Sequence, residues 1–471
     1  MSRKRVRPKF VGWGLSGAIA GVTGGLLVLA VSGVAVAHRL GSRSDEDPGR
    51  LIAAAHVPPI LTDGNGPVEL RYDIDCVSPG PDPEGGTSCA AGGTVFIRAG
   101  DRGAFRALPL RLDARAEQGR YVLRVPNDIA SSLGGFSYYA VLRNEQSGVE
   151  MTLPAGGAAA PQRGLPLGRA VSVNLGTHSF GHPTSADARV ASAAWGSGND
   201  DVGLEEGPPA TPIGATAFDV DRSGVVLVLD EAHRRVLRFS GGSGSPDSIP
   251  LAVNGTLADM SISSKGDIHV LESTGGGPAE APLIRSFSSD GHPEGSWHAA
   301  ERTVAAIREG PAGPVTLDYP SSQWMPVATQ GHALDAGAQS ERGSSGRPVR
   351  GGGQVEVLRT GNEVLVALVA AGRVREAWRI ESGTPVAEVQ LAQPSGNRMV
   401  VVLRVYTDAK DEFVAFVLGR KGIVQQLSLD SADWAETAPL SRFRLVGASL
   451  YQLGSTPAGA FVDRFDLEVG E

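Results

Sequence analysis

Between residues 218 and 272 the chain repeats itself, and that repeat restricts the fold more than any other feature of its 471 residues. Phe218-Asp-Val-Asp-Arg-Ser-Gly224-Val-Val-Leu-Val-Leu-Asp230 lies on Met260-Ser-Ile-Ser-Ser-Lys-Gly266-Asp-Ile-His-Val-Leu-Glu272 at a constant offset of 42. Each copy reads as an alternating strand, a polar turn closed by glycine and a second strand ending in an acid. A third strand follows in both, at 236–239 and 284–287, with extra residues inserted around 275–277 in the second copy. A unit of three or four strands cannot bury its apolar face alone, so such units must pack against one another.

A period in the forties with three or four strands per unit is the sequence mark of β-propeller blades. The first copy, with Arg234-Arg235 and Val-Leu-Arg-Phe after Asp230, resembles an NHL-type propeller repeat. The end of the chain, 443–453 and then 461–465, resembles the last blade of such a propeller. From 300 to 440 there are strand patterns at 355–358, 364–369, 374–380, 399–406, 413–418 and 423–429, but no clean repeat. The expected propeller covers 170–471 with about six blades, and 331–353, low in apolar residues, is expected to be a loop between blades. The resemblance implies that the acid at Asp230, and at Glu272, contacts the following turn and a nearby arginine. Asp230 with Arg234 or Arg235 is therefore read as a staple within the blade.

A smaller β-sandwich is expected at 56–153. Val68, Leu70, Tyr72, Ile74 and Cys76 occupy alternate positions and so share one strand face. Further strands are expected at 94–99, 105–112, 120–125, 136–143 and 149–153, a rhythm that resembles fibronectin type III and immunoglobulin-like modules. Of Tyr138 and Tyr139, one ring should face the core and one the outside. The segment 154–169, PAGGAAAPQRGLPLGR, reads as a linker, and 41–55 as a polar spacer. The two cysteines, Cys76 and Cys89, are expected to form a structural disulfide; the nearest histidine, His56, is too remote in sequence for a zinc motif.

Residues 1–40 read as an export signal or membrane anchor. Arg3, Lys4, Arg5, Arg7 and Lys9 precede an uncharged run from 11 to 37. Ala35-Val36-Ala37 fits a cleavage site, whereas the length of the run suits a retained transmembrane helix. In that helix Gly17, Gly21 and Gly25 would line one packing face. Either way the bulk of the chain is expected outside the cytoplasm. The formal net charge is −8, and more negative still without the leader's cations, which argues against a nucleic-acid partner. Arginine far outnumbers lysine and there are 63 glycines, a usage that suggests a GC-rich bacterial gene.

Chemical motifs are sparse. Gly12 to Gly17 spells a dinucleotide fingerprint but lies inside the leader, away from any strand–helix unit. Asp219-Val-Asp221-Arg-Ser-Gly224 begins like a calcium loop yet lacks the later acid and the flanking helices, so it reads as a tight turn. His178 and His182 are four apart in a run where no helix would align them. His269 stands where the first copy has Leu227 and is read as an exposed strand position rather than a ligand. These features lead to a nearly all-β, non-enzymatic binding or scaffold protein of the bacterial cell envelope, without cofactor or metal. Its partner would be an envelope protein, peptide or glycan, with the membrane engaged through 11–37 if that segment is uncleaved. The alternative follows from the resemblance: NHL-like lyases and gluconolactonase-like hydrolases hold a divalent metal on the propeller axis.

Overall fold

The computed structural model describes residues 52–56, 61–62, 67–76, 90–112, 119–205, 211–241, 245–273, 282–299, 304–318, 323–329, 332–333, 344, 346–349, 353–438 and 440–470. The leader, its glycines Gly17, Gly21 and Gly25, and Cys89 lie outside the described residues. Among the described residues no helix is long and apolar enough to cross a membrane.

The described chain is nearly all strand, with one four-residue helical turn at Asn127–Ala130. The N-terminal part forms two sheets over one core. One holds Ile52–His56, Glu69–Cys76, Arg120–Arg124 and Arg111–Leu112 in that order. The other runs Leu61–Thr62, Gln162–Pro166, Phe136–Asn144, Ala91–Ala99 and Arg106–Pro109, with Glu150–Leu153 also on Phe136–Asn144. The alternation along Glu69–Cys76 holds, since Leu70, Tyr72, Ile74 and Cys76 are buried while Glu69, Arg71 and Asp75 are exposed. Tyr138 is fully buried, and Tyr139 on the other face stacks on Phe96 at 4.8 Å between ring centres.

Three expectations for this region need correction. The stretch read as one strand at 105–112 is two, because the chain leaves one sheet for the other around Leu110. The spacer at 41–55 ends in strand Ile52–His56. The linker at 154–169 contains Gln162–Pro166, which pairs antiparallel with Phe136–Asn144 and parallel with Leu61–Thr62. Its Gly/Pro-rich composition hides a strand whose backbone groups are satisfied from both sides. Leu165 and Leu167 then bury themselves against Leu365, Ala367, Val369 and Ala377. Apolar contact therefore crosses the expected boundary.

His56 couples the two sandwich sheets. Its Nδ1–H donates to the Arg71 carbonyl at 2.5 Å, and its Nε2 accepts from the Tyr138 hydroxyl at 2.8 Å. Burial lowers its pKa to about 4, the Arg71 carbonyl opposing. An unfolded histidine binds its proton near 6.5, so the sandwich keeps this contribution above pH 6.5 and loses it as the pH falls towards 4. The loss should reach about 3 kcal/mol. Thermal melts from pH 7.5 to 4 are expected to show the decline in the wild-type chain and a flatter profile in His56→Gln. Cys76 is buried at the end of its strand. Alkylation of unreduced protein followed by mass measurement is expected to label neither Cys76 nor Cys89; two labelled thiols would refute the pairing.

Among the described residues from 171 on, six sheets of three to five strands succeed one another, besides the short pair Ala328–Thr329 and His332–Ala333. The first is Ala217–Val220, Val226–Asp230, Arg235–Phe239 and Asp247–Pro250; the second is Leu257–Ile262, Ile268–Glu272, Leu283–Phe287 and Pro293–His298. The repeat aligns their first three strands, and the matched glycines hold φ of 89° at Gly224 and 95° at Gly266, where a side chain would be strained. The turn before each is tied by the side chain at the same repeat position. Asp221 Oδ1 accepts from the Ser223 and Val225 amides, and Ser263 Oγ accepts from those of Lys265 and Asp267.

The third sheet is Val304–Gly310, Gly313–Asp318 and Gln323–Pro326; the fifth is Val386–Ser395, Arg398–Tyr406, Asp411–Gly419 and Gly422–Leu429. Two sheets borrow strands from the segment before the repeat. Val171–Asn174 pairs parallel with Arg373–Glu381 at the edge of the fourth, whose other strands are Glu363–Ala370, Gln354–Thr360 and Arg347–Pro348. Ala188–Ala194 pairs antiparallel with Gly459–Asp466 in the sixth, beside Ser449–Thr456 and Phe443–Val446. First strands lie side by side from the first sheet to the third, and Gln323–Pro326 of the third touches Arg347–Pro348 of the fourth. Gln354–Thr360 of the fourth lies beside Val386–Ser395 of the fifth, and Phe443–Val446 of the sixth contacts both Val386–Ser395 and Ala217–Val220 of the first. The array is propeller-like. Arg347–Pro348 corrects a further expectation, because it places a paired strand inside the stretch 331–353 that reads as a loop.

Candidate axial binding site

The first strands converge on a polar cluster with members from all six sheets: Asp219, Asp259, Arg308, Arg347, Gln393 and Arg444. Asp259, fully buried, is its hub. Its Oδ2 accepts from the Ile307 amide at 3.0 Å and pairs with Arg308, and its Oδ1 accepts from Ser441 Oγ at 2.5 Å. Arg444 Nη2 lies 3.4 Å from the same oxygen. Asp219 accepts from the Ile262 amide at 2.8 Å and lies 3.4 Å from Arg444 Nε. Each carboxylate thus ties its own strand to the next one round, and both are neutralised by guanidinium groups.

Arg347 is different. Its Nη1 donates to Gln393 Oε1 at 3.0 Å, and its guanidinium sits 6.0 Å from the centre of the Trp324 ring. No carboxylate among the described residues forms an ion pair with it. Burial, with Arg308 and Arg444 close by, pulls its pKa down to about 9, Asp219 opposing. Arg444 falls to about 10, through burial and Arg308, against Asp219 and Asp259.

Two cavities meet at this cluster. One of about 400 Å³ is polar, lined by Asp219, Ser261, Glu309, Gln393 and Arg444 among others. One of about 210 Å³ is largely apolar, lined by Leu317, Trp324, Val355, Leu391 and Phe443. Arg308 and Arg347 line both, so the guanidinium groups stand where the two chambers join. Ser261 Oγ is buried without a hydrogen-bond partner among the described residues and belongs to the polar chamber.

The other sequence candidates lie elsewhere. Asp230 is fully buried and bonds Arg235 Nε at 2.8 Å, His233 Nδ1 at 2.7 Å and the Gly203 amide at 3.1 Å. Arg235, not Arg234, completes that staple; Arg234 holds φ of 53° in the turn between the two strands. Glu272 does the same work in the second sheet with Arg285 and the Gly255 amide. Asp221 ties its own turn, as described above. His269 is buried rather than exposed, because its central strand is covered on both faces as Leu227 is in the first sheet. Burial lowers its pKa, Asp267 opposing.

His178 and His182 line a third cavity of about 340 Å³. His178 Nε2 is 2.8 Å from Glu412 Oε2 and 3.4 Å from Ser428 Oγ. Both contacts fall on one nitrogen, so the imidazole cannot relay a proton from serine to carboxylate. Among the described residues no group of three or more His, Cys, Asp or Glu side chains is placed to hold a metal ion.

No family model and no curated protein sequence matches the chain. Solved structures similar to it include virginiamycin B lyase from Staphylococcus aureus, at 10% identity over 53% of this chain and 93% of that one, TM-score 0.30. A protein of unknown function from Bacteroides thetaiotaomicron is similar over 89% of this chain and 98% of its own, at 10% identity and TM-score 0.32. A putative gluconolactonase is similar over 45% of this chain and 75% of its own, at 11% identity and TM-score 0.26. At such scores the likeness adds nothing about activity, and the site rests on the geometry above.

Sequence reasoning found Asp219 but assigned it to a turn, and it missed Asp259, Arg308, Arg347 and Arg444. Isolated arginines in alternating strands carry no motif, and Arg347 sits in a stretch whose composition reads as a loop.

Proposed function

We propose that the chain is a non-enzymatic binding protein of the bacterial cell envelope, a six-bladed propeller of NHL type carried on a small sandwich, with its ligand seated in the axial cavity. The observation that carries this reading is the state of the axial carboxylates. Asp219 and Asp259 accept backbone amides and face arginines, so they are committed to joining strands and offer no open set of oxygens to a cation. The chambers beside them remain open. A cationic leader followed by an uncharged run supports a place outside the cytoplasm, anchored or released after cleavage near Ala37. The acidic surface favours an envelope protein, peptide or glycan over nucleic acid as partner.

Elemental analysis of the purified chain tests the reading against its alternative, a lyase or hydrolase with an axial metal. The expected result is no divalent metal at stoichiometric level after dialysis. One metal per chain, lost together with structure in Asp219→Asn, would favour the enzyme.

A further inference from the structure

We infer that the axial cavity is a carboxylate site, in which Arg347 receives the acid group of a ligand and the neighbouring apolar chamber receives an uncharged hydrocarbon end. This deepens the binding reading above and rests on it.

The first argument is charge. Two guanidinium groups, Arg308 and Arg347, line both chambers, and a third, Arg444, lines the polar one. Arg308 and Arg444 are matched by Asp259 and Asp219, within reach of ion pairing. Arg347 has an amide oxygen and an aromatic ring instead of a carboxylate. A cation placed beside two others away from bulk water is unfavourable unless an anion joins it. Gln393 uses one of its N–H groups, and a planar guanidinium still offers a paired edge that fits a carboxylate.

The second argument limits the ligand's charge. Asp219 and Glu309 line the same polar chamber as Arg347. A dianionic phosphate would bring two negative charges against both carboxylates, whereas a single carboxylate brings one to Arg347. Ser261 Oγ, buried without a partner among the described residues, provides a hydroxyl for a neutral polar group of the ligand or for its second oxygen.

The third argument is the chamber beyond. Leu317, Val355, Leu391, Phe443 and Trp324 line about 210 Å³, room for a chain or ring of several carbons. An entirely polar ligand would leave those walls uncovered, while an apolar group would release the water against them. The chemistry is that of a carboxylate carrying a hydrophobic group. Free organic acids and a peptide C-terminus with an apolar last residue both supply it, and the test separates them.

The full chain, reconstituted in lipid nanodiscs, would be titrated calorimetrically with 4-phenylbutyrate, 4-phenylbutanol and acetate. A tripeptide ending in phenylalanine would be titrated as free acid and as amide. The inference expects phenylbutyrate or the free-acid peptide to bind at least tenfold more tightly than its uncharged analogue and than acetate. Preference between those two identifies the source. Arg347→Gln is expected to lose that discrimination while melting no lower than the wild type, since it removes a cation crowded by two others. A variant that melts lower with unchanged binding would make Arg347 a structural residue and overturn the inference. Equal binding of phenylbutyrate and phenylbutanol would also overturn it while leaving the cavity a ligand site. Should no probe bind, the inference would fail; should a probe bind and filling the chamber with Ala392→Phe leave its titration unchanged, the axial binding reading itself would fail.

Discussion

Replacing Asp259 by asparagine is expected to lower the stability of the propeller-like part by about 3–5 kcal/mol, the range for removing one partner from a buried ion pair. Asp259 has no exposed surface, and it joins elements remote in sequence: the Ile307 amide and Arg308 on one side, Ser441 and Arg444 on the other. The substitution leaves Arg308 and Arg444 buried with one carboxylate, Asp219, among them. It also replaces an acceptor oxygen with a donor that would point at an amide or a guanidinium. A drop in melting temperature of about 10 °C is the expected scale for a domain of this size. Ser441→Ala, which removes a single hydrogen bond, should cost about 1 kcal/mol. If both variants melted within a degree of the wild type, the axial cluster would not be what holds the ring together.

Cutting the chain between the sandwich and the propeller-like part is expected to destabilise the larger fragment. Composition alone makes 154–169 a linker, which would leave two independent pieces. In the structure Leu165 is 3% and Leu167 1% exposed, and both cover Leu365, Ala367, Val369 and Ala377 of the fourth sheet. A fragment starting at Gly168 loses both leucines and exposes that apolar patch. Each buried leucine contributes about 2–5 kcal/mol against its truncation to alanine, so Leu165→Ala with Leu167→Ala in the whole chain should approach the effect of the cut. The measurement is the melting temperature of the fragment, of the double variant and of the intact chain. A fragment that melted cooperatively at the intact chain's temperature would show that the interface carries no stability.

Two patterns that were legible from the residues alone share a local origin. Period-two alternation records burial of one strand face, which is why Leu70, Tyr72, Ile74 and Cys76 could be assigned together. The glycines of the repeat mark positive φ, a property of a single residue, and Gly224 and Gly266 both have it. The acid–arginine staple came from the resemblance, which left Arg234 and Arg235 open; the register of neighbouring strands, with Asp230 directly opposite Arg235, selects Arg235. His269 was misplaced because alternation assumes one wet face. A strand in the middle of a packed array of sheets has none, so a histidine there is buried with its neighbours.

The amino-acid order by itself therefore determined the alternating strands of the repeat and of Glu69–Cys76, the turns of the repeat and the expectation of stacked sheets, because each depends on residues close together in the chain. The tertiary structure alone decided how the array closes. It carried Val171–Asn174 to the fourth sheet and Ala188–Ala194 to the sixth, pairings across more than 200 residues that no local pattern encodes. It likewise turned six scattered polar side chains, from Asp219 to Arg444, into one axial cluster. Their charges interact because the ring brings them within a few ångströms away from bulk water, and nothing in their sequence spacing records that distance.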